Sequence, residues 1–409
     1  MMVLKSLRLA PLALGVLALS AQAQSDTASM FTFSGFGTVG MVKTSTDEAD
    51  FVISGQPSGA TKKWSGDVDT KLGVQVGAKF NDMFSATVQV LSKHNGDGNY
   101  KPGIEWAFAK AQFSPSLSMR VGRMGGPFFA VSDFRDVGYA NTWLRPPQDV
   151  YGQVPVSQMD GADISYQGAL GGSTVNLQFY AGKSDAVFEG VDVHMKSMAG
   201  FNATAELDGG FTLRLGHVQG KLTVDSVSLA GLVTLLHATP FGAVGDQLSA
   251  VDKKATFTGI GVSWDQGDWL ANAEYTMRRT ESYVPDTDGW YATLGHRFGK
   301  FTPYVTVSEL KQKDSNVNNV IPAGVKIPSP PAPFPIADLK AVVDKTLYDQ
   351  SNQQKSVALG LRWDAYRNVA VKAQYERITP TGPGLFTNPQ ASFGSSKVNV
   401  YSVSVDFVF

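Results

Sequence analysis

Residues 397–409 read KVNVYSVSVDFVF, and the alternation in that stretch decides the fold. Successive side chains of a strand point to opposite faces. Tyr401, Val403, Val405, Phe407 and Phe409 therefore form one apolar wall, and Ser402, Ser404 and Asp406 a mostly polar one. A strand with a long apolar face and unpaired hydrogen-bonding edges needs a neighbour on each side and an apolar medium against that face.

The same pattern recurs upstream. Residues 30–42 (MFTFSGFGTVGMV) put Phe31, Phe33, Val39 and Met41 on one parity, and residues 70–80 set Leu72, Val74, Val76, Ala78 and Phe80 against Lys71, Gln75 and Lys79. Alternation continues at 84–93, 104–113, 117–124, 160–167, 174–181, 198–207, 211–219, 256–265, 269–279, 289–298, 301–310, 353–363 and 368–377. These segments predict an all-β protein of about sixteen strands, each roughly ten residues long, the length a tilted strand needs to cross a bilayer. Short connections rich in Gly, Asn, Asp and Pro fall at 81–83, 114–116, 167–173, 208–210, 266–268, 299–300 and 364–368. Between them lie long ones at 43–69, 94–103, 125–159, 182–197, 220–255, 280–288, 311–352 and 378–396. Regular alternation of short and long predicts an antiparallel up-and-down barrel, closed by pairing 30–42 with 397–409. The short turns would face the periplasm and the long loops the exterior. Phe80, Phe84, Phe113, Phe211, Trp264, Trp269, Phe298, Phe301, Trp363 and Phe409 sit beside short turns and predict an interfacial girdle.

Composition agrees with this reading. The chain has 409 residues, 43% of them hydrophobic, a mean hydropathy of −0.08 and 42 glycines, which is too polar for a helical membrane protein and too apolar for disorder. It has no cysteine, so disulfides and thiolate metal sites are excluded. Residues 1–23 carry Lys5 and Arg8, an apolar core over Leu9–Leu19 and then Ala21-Gln22-Ala23, the pattern of a secretory signal peptide cut after Ala23. Its removal lowers Lys+Arg from 35 to 33 against 36 Asp+Glu, giving residues 24–409 a net charge of −3. That balance does not suit a nucleic-acid partner.

Two loops have their own character. Residues 326–335 (KIPSPPAPFP) predict extended chain, and Leu339, Val342, Val343 and Leu347 predict a short helix within 336–350. The run SLAGLVTLLHATPFG inside 222–252 is either a loop packed at the barrel mouth or an extra strand. The third long connection, 125–159, begins Gly-Gly-Pro and mixes acids with aromatics, as suits a loop folded into the lumen.

Taken together, the leader, the strands, the opening FTFSGFGTVG, the RVGRMGGPFF entry to the third long loop and the terminal Phe resemble a Gram-negative general porin over essentially the whole exported chain. The resemblance implies an outer-membrane homotrimer surrounded by lipid and lipopolysaccharide. Each barrel would be a water-filled channel for passive diffusion of ions and small hydrophilic solutes, with no cofactor and no metal. It further implies that the third loop narrows the pore, its acids Asp133, Asp136 and Asp149 facing basic side chains on the opposite wall. Arg120 and Arg214 have lumen parity, and Lys71, Lys110 and Arg123 are further basic candidates. On this reading, neutralising Arg120 and Arg214 together raises cation preference. The loop lacks the Pro-Glu-Phe-Gly stretch of enterobacterial members, so the position of the constriction is not carried over. Arg135 and Arg145 lie within it and would offset its acids.

Other functions leave weaker marks. A barrel enzyme needs an activated nucleophile or acid–base group. His94, His194, His217, His237 and His296 are scattered, and none lies in a catalytic motif. Asp67 and Asp69 read as solvated loop acids. A substrate-selective channel for organic acids, amino acids or sugars would show a specialised lumen, whereas the lumen-parity Tyr180, Tyr291 and Tyr304 lie among Thr, Ser, Asn and Gln. A structural barrel would be plugged. Gly35 and Gly37, outward on the first strand, would let subunits approach closely.

Overall fold

The structure, a computed structural model, describes residues 30–325, 338–394 and 396–409. The signal peptide and the Pro-rich stretch at 326–335 lie outside the described residues. The first half of the chain forms Phe31–Thr44 (β1), Lys71–Lys79 (β2), Phe84–Lys93 (β3), Gly103–Ser114 (β4), Leu117–Gly125 (β5), Gln158–Leu170 (β6), Ser173–Phe188 (β7) and Val191–Leu207 (β8). The second forms Phe211–Asp225 (β9), Lys253–Gln266 (β10), Trp269–Thr280 (β11), Thr287–His296 (β12), Phe301–Gln312 (β13), Gln353–Tyr366 (β14), Val369–Thr381 (β15) and Val398–Val408 (β16). Each pairs antiparallel with its sequence neighbours, and β1 pairs with β16 to close a barrel of sixteen strands.

Closure follows from the pattern at 397–409. Gly37 lies opposite Phe407 and Met41 opposite Val403, and the Gly35 and Phe409 backbones exchange hydrogen bonds of 2.9 and 3.0 Å. Outward residues are bare while lumen-facing ones are covered: Val403 is 45% exposed, Ser402 only 3%. The outer belt of exposed apolar side chains continues through Phe33, Val74, Val121, Phe179, Ile260 and Leu359. Beside the short turns Phe211 stacks on Trp264 and Phe301 on Trp363, with ring centroids 6.0 and 5.9 Å apart.

Gly35 and Gly37 do not form an open small-residue surface. A Cβ on Gly35 would stand 2.3 Å from the Phe409 ring, and one on Gly37 2.4 Å from the Phe407 ring. The terminal aromatics lie over the glycines and occupy the space expected for a neighbouring subunit. Gly35→Val is therefore expected to displace Phe409 and slow barrel closure. A larger unfolded fraction on unheated electrophoresis after refolding is the measure, and unchanged folding yield would count against this role for the seam.

The loops differ from expectation in two places. Residues 182–197 are mostly strand, because β7 and β8 continue to a two-residue turn at Glu189 and Gly190, both with positive φ. Polar residues on both faces there, such as Lys183, Ser184, Asp185 and Asp192, hide the pairing from an apolar-alternation test. The run inside 222–252 is not an extra strand. It forms helices Val227–His237, capped by Ser226 Oγ accepting from the Leu229 N–H, and Gly242–Leu248. Their Leu229, Leu236, Val244 and Leu248 pack on Val317, Ile321 and the Leu339 and Val343 of a further helix, Leu339–Asp349, within the span expected from spacing. No described helix is long and apolar enough to cross a membrane, which says nothing about strands.

Candidate functional site

The chain between β5 and β6, residues 126–157, turns into the barrel. Its Phe128, Phe129, Trp143, Val150, Tyr151 and Val156 pack with Tyr180, Met198, Val218, Phe257, Tyr291 and Tyr304 of the wall in one buried cluster. Phe129 stacks on Tyr151 at 4.5 Å and meets Phe257 edge-on at 5.1 Å. The three lumen tyrosines, expected to line water, are thus buried under the loop. Two wall hydroxyls tie it down: Leu144 N–H donates to Tyr304 Oη at 3.0 Å, and Trp143 Nε1–H to Thr293 Oγ1 at 2.7 Å.

Buried charges fix the loop further. Lys372 Nζ donates at 2.7 Å to each of the carbonyls of Gly138, Asn141 and Trp143 and stands 3.0 Å from Asp406 Oδ2. Thr38 Oγ1 donates to Asp406 Oδ1 at 2.6 Å. Arg362 Nη1 donates to the Tyr139 and Asn141 carbonyls, and its guanidinium lies over the Tyr139 ring. Arg145 forms a two-pronged pair with Asp69 at 2.9 and 2.6 Å and also donates to Ser402 Oγ. Asp69 is accordingly a buried anchor of the loop rather than a solvated acid. Arg145 pairs outside its own loop, with Asp69 and, at 3.7 Å, Glu376. Glu274 accepts from Ala130 N–H at 3.1 Å and from Tyr151 Oη–H at 3.2 Å.

The expected opposition of loop acids to wall bases across a gap is replaced by contact pairs. Asp136 is bonded directly to Lys71 at 3.3 Å and Lys93 at 3.2 Å, with Arg135 Nε 3.8 Å away. Burial works against its charge, but Lys93, Lys71 and Arg135 together hold its carboxyl well below the usual range. Asp149 does not reach the pore: it is fully buried in the helical turn Gln148–Tyr151 and accepts from Ser308 Oγ at 2.6 Å. Burial pushes its carboxyl up, against the Ser308 hydrogen bond. Asp133 remains exposed, and partial desolvation among its neighbours raises its carboxyl, with Arg120 and Arg214 opposing.

Among the basic candidates, Arg214 is buried: its Nη2 donates to the Pro127 carbonyl at 2.7 Å, and its Nη1 lies 3.6 Å from Glu274 Oε1. It holds the loop entrance rather than standing in water. Removing it with Arg120 therefore disturbs loop seating as well as lumen charge. Arg120 is paired with Asp163, its Nε 2.9 Å from Oδ2, and covers the Phe108 ring. Arg123 holds Asp160 in a two-pronged pair at 2.7 Å. Lys110 lies across β4–β5 from Arg120 and has no ion pair among the described residues. Sequence reasoning missed Lys93, Glu274, Lys372 and Asp406. A signal was available for the last two, because they are charges on the lumen parity of strands whose outward faces are apolar.

Two cavities flank loop residues 148–156. One, of about 470 Å³, is lined by Lys71, Lys93, Arg135, Asp136, Glu105 and His194 among others. The other, of about 550 Å³, is mostly apolar. With Asp133 raised and Asp136 lowered, Asp133 loses its charge before Asp136 as pH falls. Anion preference is expected to rise on acidification, and Asp133→Asn to abolish the part of that rise that Asp133 causes. Reversal potentials over a pH series are the check, and a change of equal size in the variant would rule Asp133 out. No group of three or more His, Cys, Asp or Glu among the described residues is arranged to hold a metal ion.

Comparison with solved structures finds similar barrels. OmpF of Salmonella typhi, solved in complex with daunomycin, aligns with a TM-score of 0.56 at 12% identity over 93% of this chain and 97% of that one. An anion-selective porin from Comamonas acidovorans aligns at 0.53 and 12% identity, covering 93% and 99%. The trimer form of OmpT from Vibrio cholerae aligns at 0.52 and 13%, covering 93% and 100%. At such identities these likenesses carry the fold alone. No curated protein matches the sequence. The model of the family described as Gram-negative porin matches residues 10–315, most of the chain. The chain belongs to the Gram-negative porin family and is an outer-membrane β-barrel channel for passive diffusion.

Proposed function

We propose that ions and small solutes pass between the inward loop and the β2–β8 wall, and that the passage prefers small anions. One observation carries this reading: Lys71, Lys93 and Arg135 share the single carboxylate of Asp136, a local excess of two positive charges in a cavity that Asp97, Glu105, Asp185 and Asp192 also line. In water a unit charge at ~4 Å is worth about 1 kcal/mol, a roughly fivefold local enrichment of anions. The anion selectivity named for the Comamonas acidovorans porin supports the assignment. Lys71, Arg120 and Arg123 form the basic wall and Lys110 its unpaired cation. Asp136 and Asp133 are the acids of the constriction, and Asp149 serves the loop's seat. The zero-current potential of purified protein in a potassium chloride gradient tests the preference; a cation-preferring potential would refute it.

The channel is a homotrimer in this reading, supported by the family and by the trimer form recorded for Vibrio cholerae OmpT. Lipid and lipopolysaccharide cover its outer belt, and residues 1–23 direct export. In this reading it is a channel and not an enzyme, as its membership of the Gram-negative porin family supports. Liposome swelling with sugars, amino acids and dicarboxylates tests the breadth of diffusion. Saturable uptake of one class alone would replace general diffusion with selective transport.

A further inference from the structure

The apolar cavity of about 550 Å³ is out of place in a lumen built for water. Its wall includes Val193, Met195, Leu222, Val224, Phe257 and Val284, inward side chains near the long-loop ends of β8–β11 and from the loop after β11. A polar group stands in that wall. Arg278, lumen-facing on β11, donates through Nη1 to the Gln153 carbonyl at 2.7 Å and through Nε and Nη2 to the Pro285 carbonyl at 3.3 and 3.0 Å. Carbonyl dipoles satisfy those N–H groups without cancelling the charge. Among the described residues no carboxylate lies within 4.0 Å of this guanidinium. The neighbouring acids are engaged elsewhere: Asp286 accepts from Thr280 N–H and Asn316, and Asp288 pairs with Arg279 and Lys313. Lys345 and Asp349, which also border the cavity, neutralise each other. Glu189, exposed at the turn between β7 and β8, also lines the cavity.

We propose that this cavity is a binding site for a small organic acid with an aromatic or branched apolar body, its carboxylate meeting Arg278. A largely apolar chamber with a guanidinium that no carboxylate pairs favours a ligand carrying one negative charge on an otherwise greasy frame, and the guanidinium fork matches a carboxylate. The volume is that of a site for a small molecule and excludes a folded partner. The inference rests on the channel reading in one respect only, that solutes reach the lumen, and it adds a chamber beside the charged passage.

Calorimetry on the full barrel in lipid nanodiscs tests it, with benzoate as ligand. Acetate supplies the carboxylate without the body, and benzyl alcohol the body without the charge. Benzoate is expected to bind at least tenfold more tightly than either, and Arg278→Gln to lose at least tenfold. Because Arg278 also holds loop carbonyls, a second pair of variants keeps its place intact: Val224→Lys should tighten benzoate binding and Val224→Glu weaken it. Equal binding of benzoate and benzyl alcohol, equal binding of benzoate and acetate, or benzoate affinity indifferent to the sign placed at position 224 would overturn the proposal. Conductance of the same preparation separates the two readings. A barrel that conducts but does not bind benzoate loses only this site, whereas one that binds but does not conduct loses the channel.

Discussion

Replacing Lys372 with methionine is expected to destabilise the folded barrel by about 3–5 kcal/mol, the usual consequence of stripping one partner from a buried ion pair. Both Lys372 and Asp406 have side chains with no solvent exposure, so the remaining carboxylate would keep only Thr38. The loss extends beyond the pair. Three carbonyls of the inward loop, at Gly138, Asn141 and Trp143, would lose their common donor in a place water does not reach easily. Two readouts follow. Urea titration of the purified protein should show the lower stability, and single channels should show larger and noisier currents as residues 138–143 leave the wall. Adding Asp406→Asn to Lys372→Met should recover a good part of the stability, because the stranded charge is then gone. A single variant with wild-type stability and quiet current would show that the loop is held by its apolar face alone.

The second large effect belongs to selectivity. Lys71→Gln with Lys93→Gln leaves Asp136 facing Arg135 only, a balanced pair in place of an excess of two cations. At roughly fivefold per charge in water the anion preference should fall by about an order of magnitude or more, to neutrality or slight cation preference. Asp136→Asn should move it the other way. High salt should shrink both effects, since a Debye length of about 3 Å at 1 M screens charges standing in an aqueous passage. Reversal potentials at low and high salt are the measurement, and a double variant that keeps the parent's preference would move the filter elsewhere in the lumen.

How much of this could be read from the chain depends on the period of the signal. The barrel was legible because Tyr401, Val403 and Val405 alternate with Ser402 and Ser404, and the same two-residue period returns in every strand that faces lipid. Beyond the lipid the reading failed at 182–197, where strands continue without an apolar face to mark them. The inward course of the third loop was legible from its composition, but its contacts were not. Asp149 and Asp136 look alike in sequence. One is buried on Ser308 and the other sits among three cations, and only the path of the loop through space decides which. The tyrosines at 180, 291 and 304 had lumen parity, as expected, yet parity does not say whether water or another segment fills the space before them. Lys372 and Asp406 were open to inference, being charges on inward positions of strands with apolar outer faces.

In the proposed channel the pore runs along the charged side of the inward loop, past Lys93, and leaves the apolar chamber aside. With no native cysteine, single thiols can be placed at will. Single-channel currents of K93C and V224C should be recorded before and after adding an anionic methanethiosulfonate from the long-loop side. The structure predicts that modification at position 93 removes most of the current and that modification at position 224 leaves it unchanged; block at 224 with full current at 93 would contradict it.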